Sequence, residues 1–221
     1  METGDQKLNL DLAIASASVQ VLVTASGTPL SVQEIGKAID VIDSDEIDRR
    51  DELSISDAIR NLPGVRVQTL DAPGSFTTVQ TRGLRERDTA LLIDGMRFRD
   101  AASITGDATA FWEDLAIVDT DRIEFLRGSG SSLYGSHALG GVVNVSSRQG
   151  GGPYHGDFRA EGGGLGLIRS VASVGGGLSQ NRFIYSGGVS HLNVTKGVRD
   201  GNPYRNTSEQ GTARYTFNPH V

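Results

Sequence analysis

Residues 122–147 read RIEFLRGSGSSLYGSHALGGVVNVSS, a strand-like run, a Gly/Ser-rich stretch and a second strand-like run. A glycine-rich turn after a strand cradles phosphate when it continues as G-x-x-x-x-G-K-[ST] into a helix. Gly130 and Gly135 have the glycine spacing, but Ser136 and His137 stand where the lysine and the Ser/Thr belong. No side chain there reaches a phosphate, so the P-loop reading fails. GGGLG at 162–166 precedes no helical pattern and no βαβ unit, which removes the dinucleotide reading. His137, His155, His191 and His220 share no metal-ligand spacing, and there is no cysteine, so a cysteine zinc site and a disulfide framework are both excluded. Serines are plentiful, yet none lies in a G-x-S-x-G elbow. Asp94 precedes Gly95, where aspartate serves turn chemistry. No catalytic constellation, metal site or cofactor site is expected.

The elements that carry these residues fall into two regimes. Of the 29 glycines, 21 lie after Arg127. Net charge is −6, and residues 1–63 hold 12 acids against 5 bases, the pattern of a solvated acidic surface. No basic face is offered to nucleic acid. No apolar run approaches the roughly 18–20 residues of a membrane helix. The first 20 residues lack a basic start and a continuous apolar stretch, and they alternate at Leu8, Leu10, Leu12 and Ile14, so they read as the interior of a longer protein.

Residues 38–148 read as a small α+β domain. AIDVI (38–42) is a strand, and DSDEIDRR a helical turn with Asp43 or Ser44 as cap. Ile55, Ala58, Ile59 and Leu62 form a helical stripe capped by Ser54 or Ser56 and ended by Pro63-Gly64. VRVQ and TVQTRG are strands around the loop 71–77, and ALLIDGMRF is a hairpin turning at Asp94-Gly95. A polar loop, 99–112, ends in Phe111 and Trp112. After Gly150, segments of about nine to twelve residues alternate at period two, joined by a tight turn at 179–181 and a long polar loop at 194–208. That rhythm suits an outer-membrane barrel, and equally a soluble antiparallel sheet.

SISDAIRNLPGVRV, VQTRGLRERDTALLIDGMRF and the 122–147 block resemble, in order and spacing, the plug domain of TonB-dependent outer-membrane receptors. VQVLVTAS looks like a TonB box, residues 1–18 are similar to the end of a carboxypeptidase regulatory-like β-sandwich domain, and 151–221 look like the first four or so barrel strands. One departure is Ser129, where the family usually has proline in G-P-x-S. The resemblance implies 1–18 as the end of an upstream domain, 19–37 as TonB box and linker, 38–150 as an α+β plug with a short mixed sheet and short helices, and 151–221 as the start of a transmembrane β-barrel of about 22 strands. Four strands leave an open edge that lipid cannot satisfy, so a fragment of a longer receptor is expected; a soluble plug-like binding or signalling module and a non-functional truncated product are the alternatives.

The resemblance further implies uptake, across the bacterial outer membrane, of a scarce ligand such as a ferric siderophore or cobalamin, energised by TonB with ExbB–ExbD, and no enzymatic activity. Val19, Val21, Val23, Thr24 and Ala25 would contact TonB by strand addition; the alternative is the last strand of the upstream domain. Arg82 and Arg127 match the family's plug arginines that pair with barrel glutamates, with Glu124 a local alternative partner. Phe76, Arg99, Asp100, Phe111 and Trp112 fall on the loops matching the outward apices and are candidates for ligand contact, though Phe111 and Trp112 could instead pack on the plug core.

Overall fold

The computed structural model describes residues 21–22, 30–31, 38–70, 73–196 and 203–217. The expected sandwich remnant at 1–18 lies outside them.

Two two-residue strands come first, β1 (Val21–Leu22) and β2 (Leu30–Ser31), paired with each other. The first regime then folds around a mixed sheet of five strands: β3 (Ala38–Asp43), β6 (Thr89–Ile93), β7 (Met96–Phe98), β8 (Thr120–Arg127) and β9 (Gly141–Ser147). Their order across the sheet is β3-β8-β9-β6-β7. Only β6 and β9 run parallel, Thr89 lying opposite Gly141. A separate hairpin pairs β4 (Val65–Thr69) with β5 (Thr77–Thr81). One core unites the sheet and the helices: Ile42, Ile47, Ile55, Ile59, Val79, Leu91, Trp112, Ile123, Phe125 and Val143 are all buried in it. Each such side chain contributes about 1.5–3 kcal/mol of transfer free energy.

Local chemistry explains the element ends. Asp43 caps α1 (Ser44–Arg50), its carboxylate accepting from the Glu46 amide at 2.9 Å. Ser54, not Ser56, caps α2 (Ile55–Ile59), accepting from the Asp57 amide at 3.2 Å. This helix is shorter than its apolar stripe predicts. The Arg60 and Leu62 amides bond back to Asp57 and Ile59, three residues away, so the last turn tightens before Pro63. Leu62 still packs against the core. The Asp94-Gly95 turn has both residues at positive φ, 51° and 77°, as a two-residue hairpin loop requires.

The second regime is an antiparallel meander of β10 (His155–Gly162), β11 (Leu167–Leu178), β12 (Phe183–Val194) and β13 (Tyr204–Tyr215), paired in sequence order. Its faces alternate. Arg169, Val171, Ile184, Ser186, Ser190 and Leu192 are buried toward the first regime, whereas Phe158, Ile168, Val174, Val189 and Tyr215 are exposed on the opposite face.

Candidate functional site

The 122–147 block brings its arginine and glycines to one corner of the sheet. Arg127 closes β8, opposite Ala38 on one side and Gly141 on the other. Its Nε lies 2.8 Å from Asp40 Oδ2 of β3, close enough for an ion pair but without hydrogen-bond alignment. The carboxylate near Arg127 is thus Asp40, not Glu124. Glu124 is fully buried and accepts from Arg122 Nε at 2.8 Å, because alternation along β8 sends residues 122 and 124 to the face opposite 127. Arg82 follows β5 in the left-handed region at φ 53°, its amide donating to the Gly64 carbonyl at 2.8 Å. Its guanidinium lies over Gly128, so close that a Cβ on Gly128 would sit 3.3 Å from Nη1. The two arginines therefore share one corner, and among the described residues no carboxylate lies within ion-pair distance of Arg82.

Close packing explains the glycines. A Cβ on Gly130 would meet Val142 Cγ2 at 2.6 Å, and one on Gly141 would meet the Leu126 carbonyl oxygen at 2.8 Å. Between them the chain makes a one-turn helix, α3 (Ser131–Tyr134), where the sequence reading has only a turn. Four residues are too few to present a phosphate-binding helix end.

The loop that holds Phe76 and the loop 99–112 converge. Phe76, 47% exposed, lines an open groove with Gln80, Arg85, Arg87, Thr105 and Asp107. Burial of Asp107 would raise its pKa, but hydrogen bonds from Thr105 and Thr109 outweigh it and hold the carboxyl below its ordinary value. Arg99 is exposed, while the Asp100 carboxylate turns back to accept from the Ala102 amide at 2.8 Å. Phe111 packs edge-on against Phe98, ring centroids 5.1 Å apart. Trp112 is a correction: at 1% exposure it belongs to the core and has no face for a ligand. The polar end of the loop does not carry its aromatic residues outward, because Thr109–Phe111 form a 3-10 turn that folds the chain back onto the sheet. Of the residues expected to meet TonB, Val21 has its backbone paired with Ser31, and Val19, Val23, Thr24 and Ala25 lie outside the described residues.

The structure adds a docking surface that the sequence reading missed. Acids of the first regime meet donors on the meander. The Asp119 carboxylate accepts from the Ser186 hydroxyl of β12. Asp114 Oδ1 accepts from Tyr204 Oη at 2.7 Å and from Asn206 Nδ2 at 3.3 Å. Gln210 donates to Ser147 Oγ. Asp48 accepts from Arg159 of β10 and from Arg148, which follows β9, and Asp51 lies 3.3 Å from Arg169 of β11. Burial pushes the Asp119 carboxyl above its ordinary range, opposed by the Ser186 hydrogen bond and by Arg148. Nothing in one-dimensional spacing marks these acids, since their partners lie 67 to 118 residues away.

Against known proteins, residues 31–142 match the family described as TonB-dependent Receptor Plug Domain. Among curated relatives, the vitamin B12 transporter BtuB of Photobacterium profundum is 32% identical over 166 residues, 75% of this chain and 27% of its own length. The chain thus spans about a quarter of that relative. Among solved structures, the pyoverdine outer membrane receptor FpvA from Pseudomonas aeruginosa PAO1 superposes with a TM-score of 0.76 at 20% identity, over 90% of this chain and 28% of FpvA. The alcaligin outer membrane receptor FauA from Bordetella pertussis gives 0.74 at 18% identity, over 90% of this chain and 32% of FauA. The five-stranded sheet with its helices is a plug domain, the meander docked on it is a set of barrel strands, and the chain belongs to the TonB-dependent receptors.

Proposed function

We propose that this chain forms the plug and first barrel strands of a bacterial outer-membrane receptor that takes up a scarce small ligand, with energy delivered by TonB and ExbB–ExbD. The carrying observation is the docked arrangement itself: a family-matched plug whose acids bond to polar side chains on the inward face of four antiparallel strands. Alternation puts Phe158, Ile168, Val174, Val189 and Tyr215 on the outer face, which suits lipid there, beside Arg205, Thr207 and Glu209 of β13. On this reading the chain performs no catalysis.

Ligand contact belongs to the groove around Phe76, with Arg99, Asp100 and Phe111 on the loop beside it. The relative at 32% identity favours cobalamin over ferric siderophores, because the solved siderophore receptors are only 18–23% identical and speak for fold alone. Arg82 and Arg127 pair with glutamates of later barrel strands. A guanidinium enclosed in a barrel lumen needs such a partner, and Arg82 has none among the described residues. Val19, Val21, Val23, Thr24 and Ala25 add to TonB as a strand.

The test is uptake by the complete receptor in cells with and without TonB, using labelled cyanocobalamin and a panel of ferric siderophores. Accumulation of one of them only when TonB is present supports the reading. Equal accumulation without TonB, or none of any probe, overturns it.

A further inference from the structure

α1 is seven residues long and sends one side chain, Ile47, into the core. One buried isoleucine contributes about 1.5–3 kcal/mol, and a helix this short has little stability of its own. Its polar contacts therefore decide where it sits. Asp48 accepts from Arg148 Nη2 at 3.0 Å and from Arg159 Nη2 of β10 at 2.8 Å. Asp51, the C-cap at φ 51°, lies 3.7 Å from Arg159 and 3.3 Å from Arg169 of β11. Arg169 is 4% exposed, and its other carboxylate is Glu161 of β10, at 3.3 Å.

These carboxylates stand at the C-terminal end of a helix, where the dipole disfavours negative charge. The helix's own last-turn cations do not offset them: Arg49 bonds to the Asp45 carbonyl, and Arg50 to Glu46 and the Ala58 carbonyl. The compensating charge comes from the barrel wall. Its polarity is the reverse of that at Arg82 and Arg127, with acid on the plug and arginine on the barrel.

Position gives the contact a task. α1 follows β3 directly, and among the described residues β3 is an edge strand bonded only to β8. A load entering at residue 38 crosses the six residues of β3 and then reaches α1. We propose that Asp48 and Asp51, with Arg159 and Arg169, form an ionic latch that keeps α1 seated on β10 and β11 when the segment before it is displaced. The pairs at Asp48, Asp51 and Arg159 are partly solvated, so each alone is weak and the network acts as a unit. Arg169 anchors that network, because displacement of α1 would leave this enclosed guanidinium with Glu161 alone. The source of the load rests on the uptake reading above; the latch rests on the ion pairs.

The complete receptor in outer-membrane vesicles, stripped of other thiols and carrying Ile47→Cys, reports the latch as the rate of maleimide labelling at this buried site. Asp48→Asn and Arg159→Gln should each raise that rate about threefold, and the double variant should raise it by less than the product of the singles, because the two share the Asp48–Arg159 pair. Asp51→Asn, which keeps a residue tolerant of the left-handed region, should raise it likewise while leaving the fold intact. Unchanged labelling in the single variants, or a multiplicative double, overturns the latch. Uptake that proves independent of TonB would sink the transport reading and leave this labelling cycle unaffected.

Discussion

Asp94 and Ser147 are joined twice: Asp94 Oδ1 accepts from the Ser147 amide at 2.7 Å, and Oδ2 accepts from its hydroxyl at 2.5 Å. Ser147 Oγ also accepts from Gln210 of β13. The hairpin turn of the plug is thereby tied to the end of β9 and, through one hydroxyl, to the barrel. Asp94→Ala removes both bonds and places alanine at a positive φ, for a cost of about 2–4 kcal/mol. Asp94→Asn keeps the left-handed preference and should cost about half as much. Thermal unfolding of the plug in detergent-solubilised receptor checks the order of the two variants.

The glycines of the 122–147 block differ from Gly164, in the turn between β10 and β11, by what surrounds them. Gly141→Ala pushes a methyl to 2.8 Å from the Leu126 carbonyl oxygen and should destabilise the plug by about 1–3 kcal/mol. Gly164, with nothing within 4 Å and no positive φ, should accept alanine within about 0.5 kcal/mol. Equal effects at both sites, measured by denaturant unfolding, would show that packing is not what holds glycine in the block.

At the arginine corner, Arg82→Glu or Arg127→Glu should loosen the plug in the barrel. Arg127→Glu also sets two acids together at Asp40 and should be the worse of the two. Conductance of single receptors in planar bilayers is the measurement, with an increase of about tenfold in open events expected from losing a desolvated charge pair. No added leakage from either variant would count against the lock.

Asp48 and Asp119 should answer acid with opposite signs. Burial favours a higher pKa for Asp48, but the hydrogen bond from Arg159 and the charges of Arg148 and Arg159 prevail and lower it. Its contribution is present above the ordinary value near 3.8 and is lost as pH falls through the lower, folded value. Asp119 is raised, chiefly by burial, so its contribution is greatest below 3.8 and is lost as pH rises through the folded value. Asp119→Asn should therefore gain stability relative to the parent at pH 7 and lose that gain near pH 4, whereas Asp48→Asn should be weaker at pH 7 and converge with the parent in acid. Melting temperatures across that range distinguish the two.

Phe76 and Trp112 should also part company. Phe76→Ala should weaken ligand binding about tenfold with little change in stability, as for an exposed aromatic contact. Trp112→Ala should cost about 3–5 kcal/mol of plug stability, the loss expected for a buried large aromatic. Ligand titration alongside unfolding assigns each residue its role, and a stable Trp112→Ala receptor with lost affinity would reverse the assignment.

Local rules made much of this protein legible from its sequence. The Asp94-Gly95 turn, a serine cap at Ser54 or Ser56, the period-two strands and the ordered plug motifs each depend on neighbours a few residues apart. The failed P-loop was also readable, since a missing lysine is a fact of sequence. Only tertiary structure decided who meets whom. Asp40 rather than Glu124 stands by Arg127 because β3 pairs with β8 at that register. Trp112 is core because the loop before it folds back on the sheet. Asp48 and Asp51 find arginines more than a hundred residues away because β10 and β11 pass α1 on the folded plug. Periodicity reports which side of an element is apolar. It carries no record of which distant surface that side will cover, and the charges of this receptor are matched across such surfaces.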